Sequence, residues 1–360
     1  MRRASRIFLI NLIVLVAGAA AVELCFGAWF GTWYDPRLRV VRNVEYKNDV
    51  RALYPARAPV VYRRDRWGLR GNFSDPGQVG IVTIGGSTTD QRLITEGATW
   101  QDRLAQRLAE IGHPVIIANA GIDGQSTIGH IVALQGWLFR IPRLHPRLVL
   151  IYAGINDVLL QYKTAYDAVE PSGAAQRIAR YVQERSAILA FFNTAAGIMR
   201  AARGHLPHAR IDFTQTGGHW APLGDLSGLR KEYAARLDAY EVRLETLDRL
   251  IRGWGAIPVL ITQPRADRRP LPDGGMVVLV RADGHTDPET RALSLFNERT
   301  LLFCRRSGDA CIDLAQNLAF GLEDYYDFVH NTPDGEAKIG AYLAPQIGEV
   351  LRRSGLAENR

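Results

Sequence analysis

Apolar residues fall into short runs from Val79 onward: Val79 to Ile84, Val115 to Ala118, Leu148 to Tyr152, Ile257 to Thr262 and Ala310 to Leu314. Runs this short and this rich in β-branched residues favour buried strands. The segments between them carry a helical period. Thr99 to Ile111 sets Trp100, Leu104, Leu108 and Ile111 on one face, and Gly112-His113-Pro114 ends it. Further helices are predicted after the loop 119–127 as far as about Phe139, over Ala174 to Arg203, Leu226 to Gly253, Glu289 to Arg305 and Asp334 to Arg353. Strands alternating with helices imply an α/β fold, a parallel sheet covered on both faces. Met276 to Val280, between turn signals, reads as a hairpin or a lid.

The first residues follow a different pattern. Met1 to Arg6 is a short basic head, and Ile7 to Phe30 is apolar but for Asn11 and Glu23, long enough to cross a hydrocarbon core. A cleaved signal peptide competes, because Ala17-Gly18-Ala19-Ala20-Ala21 offers small residues at a cleavage site. Apolar character continues past that site through Leu24, Phe26 and Trp29-Phe30, with Trp33-Tyr34 as an interfacial belt, which favours a retained anchor. Arg2, Arg3 and Arg6 on one side are balanced by Arg37, Arg39, Arg42 and Lys47 on the other. Long domains translocate largely regardless of flanking charge, so the large domain is expected outside the cytoplasm, periplasmic or extracellular. The chain then divides into an anchor or signal segment (1–30), a stalk and docking segment (31–78, docking through Asp65 to Arg70) and a large α/β domain (79–354). A helical insertion at about 160–225 is expected over the sheet's C-terminal edge.

Composition narrows the partners. With 360 residues, 47% of them hydrophobic, the chain can bury a large core. Its net charge of +7 is spread among arginines and matching acids, with no basic stripe interleaved with aromatics, so nucleic acid is not an expected partner. Cys25, Cys304 and Cys311 lack zinc-ligand spacing. Cys304 and Cys311 could bridge in an oxidising compartment or remain two thiols, since spacing alone does not supply the Cα separation.

The first apolar run breaks at Gly85-Gly86 and delivers Ser87. A serine on such a turn has an exposed hydroxyl and a backbone N–H near a helix N-terminus, as a nucleophile attacking a carbonyl needs. It is equally what a helix cap looks like. The second and third runs also end in polar loops, Asn119-Ala120-Gly121 and Gly154-Ile155-Asn156-Asp157. In parallel sheets, sites form at the carboxyl ends of the strands. Asp327 and His330 lie three residues apart before the last helix, close enough for the carboxylate to orient the imidazole. His208 and the remaining histidines lack comparable context, and only His219 beside Trp220 reads as a substrate-side residue. There is no paired-histidine metal motif, and neither metal nor cofactor is expected.

Together these blocks resemble the SGNH (GDSL-type) hydrolase superfamily: Gly85-Gly86-Ser87-Thr88-Thr89, Asn119-Ala120-Gly121, Gly154-Ile155-Asn156-Asp157 and Asp327-Phe328-Val329-His330, in that order. The resemblance covers about Asp65 to Gly348. It implies a three-layer α/β/α sandwich with flavodoxin-like winding around a five-stranded parallel sheet. It implies Ser87 as nucleophile, His330 as base and Asp327 as its orienter, with Ser87, Gly121 and Asn156 as the oxyanion hole. Gly86 departs from the family's common aspartate at that position, as in a membrane-anchored branch with a Gly-Gly-Ser-Thr-Thr block. The implied activity is a serine-dependent acyl-ester hydrolase, an esterase or deacetylase acting on an extracytoplasmic glycan or lipid ester. Two alternatives stay open: an O-acyltransferase to a polysaccharide using the same triad, and a non-catalytic glycan-binding envelope protein.

Overall fold

The computed structural model describes residues 2–30, 38, 40–56, 58–160, 173–192, 208–211 and 218–354. By contacts the chain forms two compact units, one of residues 1–40 with 170–206, the other of 41–169 with 207–360.

The first unit contains α1 (Arg2–Phe26). From Ser5 to Phe26 its mean hydropathy is 2.4 and none of it is buried, so it is long and apolar enough to cross a membrane. The same unit holds α6 (Ala174–Arg185) and a helix, α7, that starts at 187 and is described to 192. The rest of the helix expected as far as Arg203, and much of the insertion expected at about 160–225, lies outside the described residues.

In the second unit the chain first makes an antiparallel pair, β1 (Val44–Asn48) and β2 (Val60–Arg64). The segment read as a stalk therefore holds paired strands, and Val60, Tyr62 and Arg64 alternate inward along β2. Then come β3 (Val79–Gly85), the single-turn α2 (Ser87–Asp90), α3 (Trp100–Glu110), β4 (Ile116–Asn119), α4 (Thr127–Gly136), β5 (Leu148–Tyr152) and α5 (Ile155–Leu159). Further along follow β6 (His219–Pro222), α8 (Ser227–Gly253), β7 (Ile257–Ile261), β8 (Arg268–Pro270), β9 (Met276–Val280), α9 (Pro288–Ser307), β10 (Ala310–Ile312), α10 (Leu314–Asn317) and α11 (Pro333–Arg353).

The five apolar runs form one parallel sheet in the order β10-β7-β5-β3-β4. Counted from β3, this is the flavodoxin-like order, and winding reverses between β3 and β5. Helices α3 and α11 pack together over one face, where Trp100, Leu104 and Leu108 join Ile81, Leu150, Leu343 and Ile347 in the core. Helices α4, α8 and α9 form the other layer. The fold is the expected α/β/α sandwich. Met276 to Val280 resolves as a hairpin: β9 pairs antiparallel with β8 and, on its other edge, with β6. Cys304, near the end of α9, is disulfide-bonded to Cys311 in β10, with Cα atoms 6.1 Å apart.

Candidate active site

The winding reverses between β3 and β5, and their carboxyl ends lead into Ser87 and into the loop that carries Asn156. Gly85 ends β3 and Gly86 precedes α2, so Ser87 becomes that helix's first residue. Its N–H is one of the donors a first helical turn leaves unused, with no partner among the described residues. A Cβ at Gly86 would overlap Nδ2 of Asn156. The amide of Asn156 thus sits directly over the residue before Ser87.

Ser87 Oγ lies 2.8 Å from His330 Nε2. On the other side of the ring, His330 Nδ1 lies 2.7 Å from Asp327 Oδ2 and 3.0 Å from Oδ1. A carboxylate at Nδ1 fixes the proton there and leaves Nε2 to accept from the serine hydroxyl. Asp327 is itself anchored, since Oδ1 accepts the N–H groups of Val329 at 2.9 Å and of His330 at 2.7 Å. Tyr326 stacks nearly parallel to the His330 ring, centroids 5.6 Å apart. Burial alone would raise the Asp327 carboxyl, but hydrogen bonds from His208 and His330 outweigh it and hold the group well below the usual carboxylate range.

His208 is the residue that the sequence did not single out. Its Nδ1 lies 3.1 Å from Asp327 Oδ2, and its ring packs edge-on to His330. No local pattern marks it; only the fold brings it to Asp327. His219, read as a substrate-side residue, lies in β6, opposite Val280.

Asn156 stands at the start of α5, and its Nδ2 donates to the Gln125 carbonyl at 2.8 Å, leaving a second amide hydrogen. Asp157 beside it is buried, with its carboxyl raised by desolvation despite Arg243 at 3.0 Å, and it accepts from Thr127. Gln263, following β7, ties the start of α5 to α2: Oε1 accepts the Ile155 N–H at 2.7 Å and Nε2 donates to Thr88 Oγ1 at 2.9 Å. Gly121 is placed by packing, since a Cβ there would overlap the backbone of Thr89 and Asp90. Its N–H donates to Asn119 Oδ1 at 2.8 Å, so this third expected donor is engaged within its own loop and has to be shared or released to meet a substrate.

Behind the serine, Asp90 is fully buried and receives Arg64 Nη2 at 2.6 Å, Arg92 Nε at 2.9 Å and Tyr62 Oη at 2.8 Å. Burial would raise this carboxyl too; Arg64, Arg92 and Arg70 hold it well below its ordinary range. Arg64 also donates to the carbonyls of Gly121 and Gly68. One guanidinium from the β1–β2 pair thus joins α2 to the Gly121 loop. A narrow pocket at the serine is lined by Arg92, Leu93, Asp123, His208, Tyr326 and His330.

The model of the GDSL-like Lipase/Acylhydrolase family matches residues 83–338. Among solved structures the chain is similar to TesA, at 14% identity over 75% of this chain and 99% of that one, TM-score 0.42. It is also similar to an acetylxylan esterase from Geobacillus stearothermophilus (16% identity, 75% and 96% covered, TM-score 0.43). A third is a GDSL-like lipase from Bacteroides thetaiotaomicron (13%, 77% and 89%, TM-score 0.39). No curated protein matches the chain.

Proposed function

Since the chain belongs to the GDSL-like lipase/acylhydrolase family and is a hydrolase of esters, we propose that it cleaves short acyl esters through an acyl-Ser87 intermediate, on a glycan or lipid outside the cytoplasm. The observation that carries this reading is the unbroken chain of contacts from Ser87 Oγ to His330 Nε2 and from His330 Nδ1 to Asp327.

In this reading Ser87 Oγ attacks the ester carbonyl as His330 Nε2 takes its proton. The resulting oxyanion is met by the Ser87 N–H and the second hydrogen of Asn156 Nδ2, and by the Gly121 N–H when Asn119 shares it. Asp327 stabilises the imidazolium without taking its proton. His330 returns that proton to the departing alcohol, leaving acyl-Ser87. A water, deprotonated by His330, then attacks the acyl carbon; the acyl C–Oγ bond breaks, the carboxylic acid departs and His330 returns the proton to Ser87 Oγ.

The narrow pocket, walled by charged and aromatic side chains, supports a short acyl group. The Cys304–Cys311 bond and the apolar α1 support a location outside the cytoplasm, with α1 as a single-pass anchor. The test compares the full chain with Ser87→Ala on nitrophenyl acetate and on longer-chain esters. Expected are turnover that falls with chain length and a loss of about 10⁴-fold or more in the variant. Equal rates in the two proteins would sink the assignment. Acyl transfer to an added glycan in preference to water would move the reading to an O-acyltransferase.

A further inference from the structure

We propose that α6 and α7 form a second membrane contact, a pair of helices lying in the headgroup layer beside the end of α1. The proposal rests on reading α1 as a membrane span. It begins with Glu23, the one acid inside the apolar stretch. Its carboxylate accepts Ser186 Oγ at 2.5 Å and the N–H groups of Ala187 at 3.0 Å and Ile188 at 3.2 Å. Trp29 Nε1 adds a fourth donor at 2.8 Å, and the Ala28 N–H reaches the Arg185 carbonyl at 2.8 Å. An acid in an apolar helix is tolerated where its oxygens are satisfied, and here the donors come from the corner between α6 and α7. The corner is thereby fastened to the residues where α1 ends.

What the corner displays is apolar. Ile178 is 66% exposed, Phe191 69% and Phe192 62%, next to Phe26 at 78% and Phe30 at 81%. Ile178, Tyr181 and Val182 recur at three and four residues, one stripe of an amphipathic helix, with Arg177 and Arg185 flanking it. At 12 residues α6 is about 18 Å long, too short to span the roughly 30 Å of hydrocarbon. A short basic helix with an uncovered apolar stripe, fastened to the end of a span, has the form of an in-plane interfacial segment. Trp29 and Tyr181, 6.2 Å apart, with the Arg185 guanidinium 3.9 Å over the Tyr181 ring, are the residue types that settle at headgroup depth. The occupant is therefore the phospholipid surface that receives α1.

The test uses the full chain with Cys25→Ser, reconstituted in phosphatidylcholine/phosphatidylglycerol vesicles. An environment-sensitive fluorophore is placed on single cysteines at Ile178→Cys, Phe191→Cys, Val14→Cys and Arg249→Cys, and ester turnover confirms that each protein folds. Expected is quenching of the 178 and 191 labels by headgroup-level nitroxide lipid, with at least fivefold protection from iodide relative to the 249 label. The label at 14 should respond to deep nitroxide. Labels at 178 and 191 as open to iodide as that at 249, with 14 protected, would overturn the second contact while leaving the anchor. A label at 14 open to iodide would overturn the anchor reading and the second contact with it.

Discussion

His208 and His330 lie edge to face with ring centroids 4.3 Å apart, and each turns its Nδ1 to Oδ2 of Asp327, at 3.1 and 2.7 Å. One carboxylate thus serves two imidazoles, and the second helps hold in place the oxygen that orients the His330 ring. Replacing His208 with Ala should lower kcat/KM about tenfold, the equivalent of about 1.4 kcal/mol. Steady-state kinetics on a short-chain ester check this, and a kcat/KM within about twofold of the unsubstituted protein would show His208 to be packing only.

In the proposed mechanism Asn156 offers its amide to charge that exists only during reaction. Asn156→Ala should cut kcat about 10²- to 10³-fold with KM little changed. Steady-state kinetics on a short-chain ester separate the two. A rise in KM at constant kcat would instead make Asn156 a substrate-binding residue.

Arg64 is 3% exposed and gives its guanidinium to Asp90, Gly121, Gly68 and Tyr62. Arg64→Met strips a buried carboxylate of its main partner and should destabilise the fold by about 3–5 kcal/mol. Urea unfolding measures this, and a loss below about 1 kcal/mol would contradict the arrangement described here.

His130, in α4, is buried and neutral, its imidazole pushed down to about 3 by desolvation. The unfolded chain, near 6.5, binds a proton that the folded one refuses. Stability conferred by the neutral ring is complete above about pH 6.5 and is lost as pH falls toward 3, at up to about 1.4 kcal/mol per pH unit. His130→Gln should flatten the pH dependence of unfolding across that window, whatever its effect at pH 7. An identical slope in both proteins would exclude the residue as its source.

The Cys304–Cys311 link closes a loop with a sequence separation of 7. A loop that short contributes about 2–3 kcal/mol by chain entropy. Reduction, or Cys304→Ser with Cys311→Ser, should lower the unfolding free energy by that amount with little change in kcat, since the bond ties α9 to β10 away from Ser87.

The sheet and its helices were legible because burial on both faces of a parallel strand leaves a continuous apolar run, and a half-buried helix leaves a 3.6-residue period. Ser87, Asp327 and His330 were legible because their blocks sit at strand ends or just before the last helix. His208 was not, because its meaning comes from a contact 119 residues away in sequence. Arg64 read as one arginine among many in a stalk. Its signal was the period-two register with Val60 and Tyr62, which a charged residue disguises. Gln263 follows the fourth apolar run, and only the fold shows that it joins Ile155 to Thr88.

The link from Arg64 to Gly121 also decides where this enzyme can be trimmed. A soluble version cut at Val79, where the sheet begins, would discard Arg64 and Arg70 and leave the Asp90 carboxylate sealed in with Arg92 as its remaining ion-pair partner. Cut before Val44, it keeps the β1–β2 pair and the contacts that hold α2 to the Gly121 loop. The compact unit that holds Ser87 therefore includes chain some 35 residues upstream of β3.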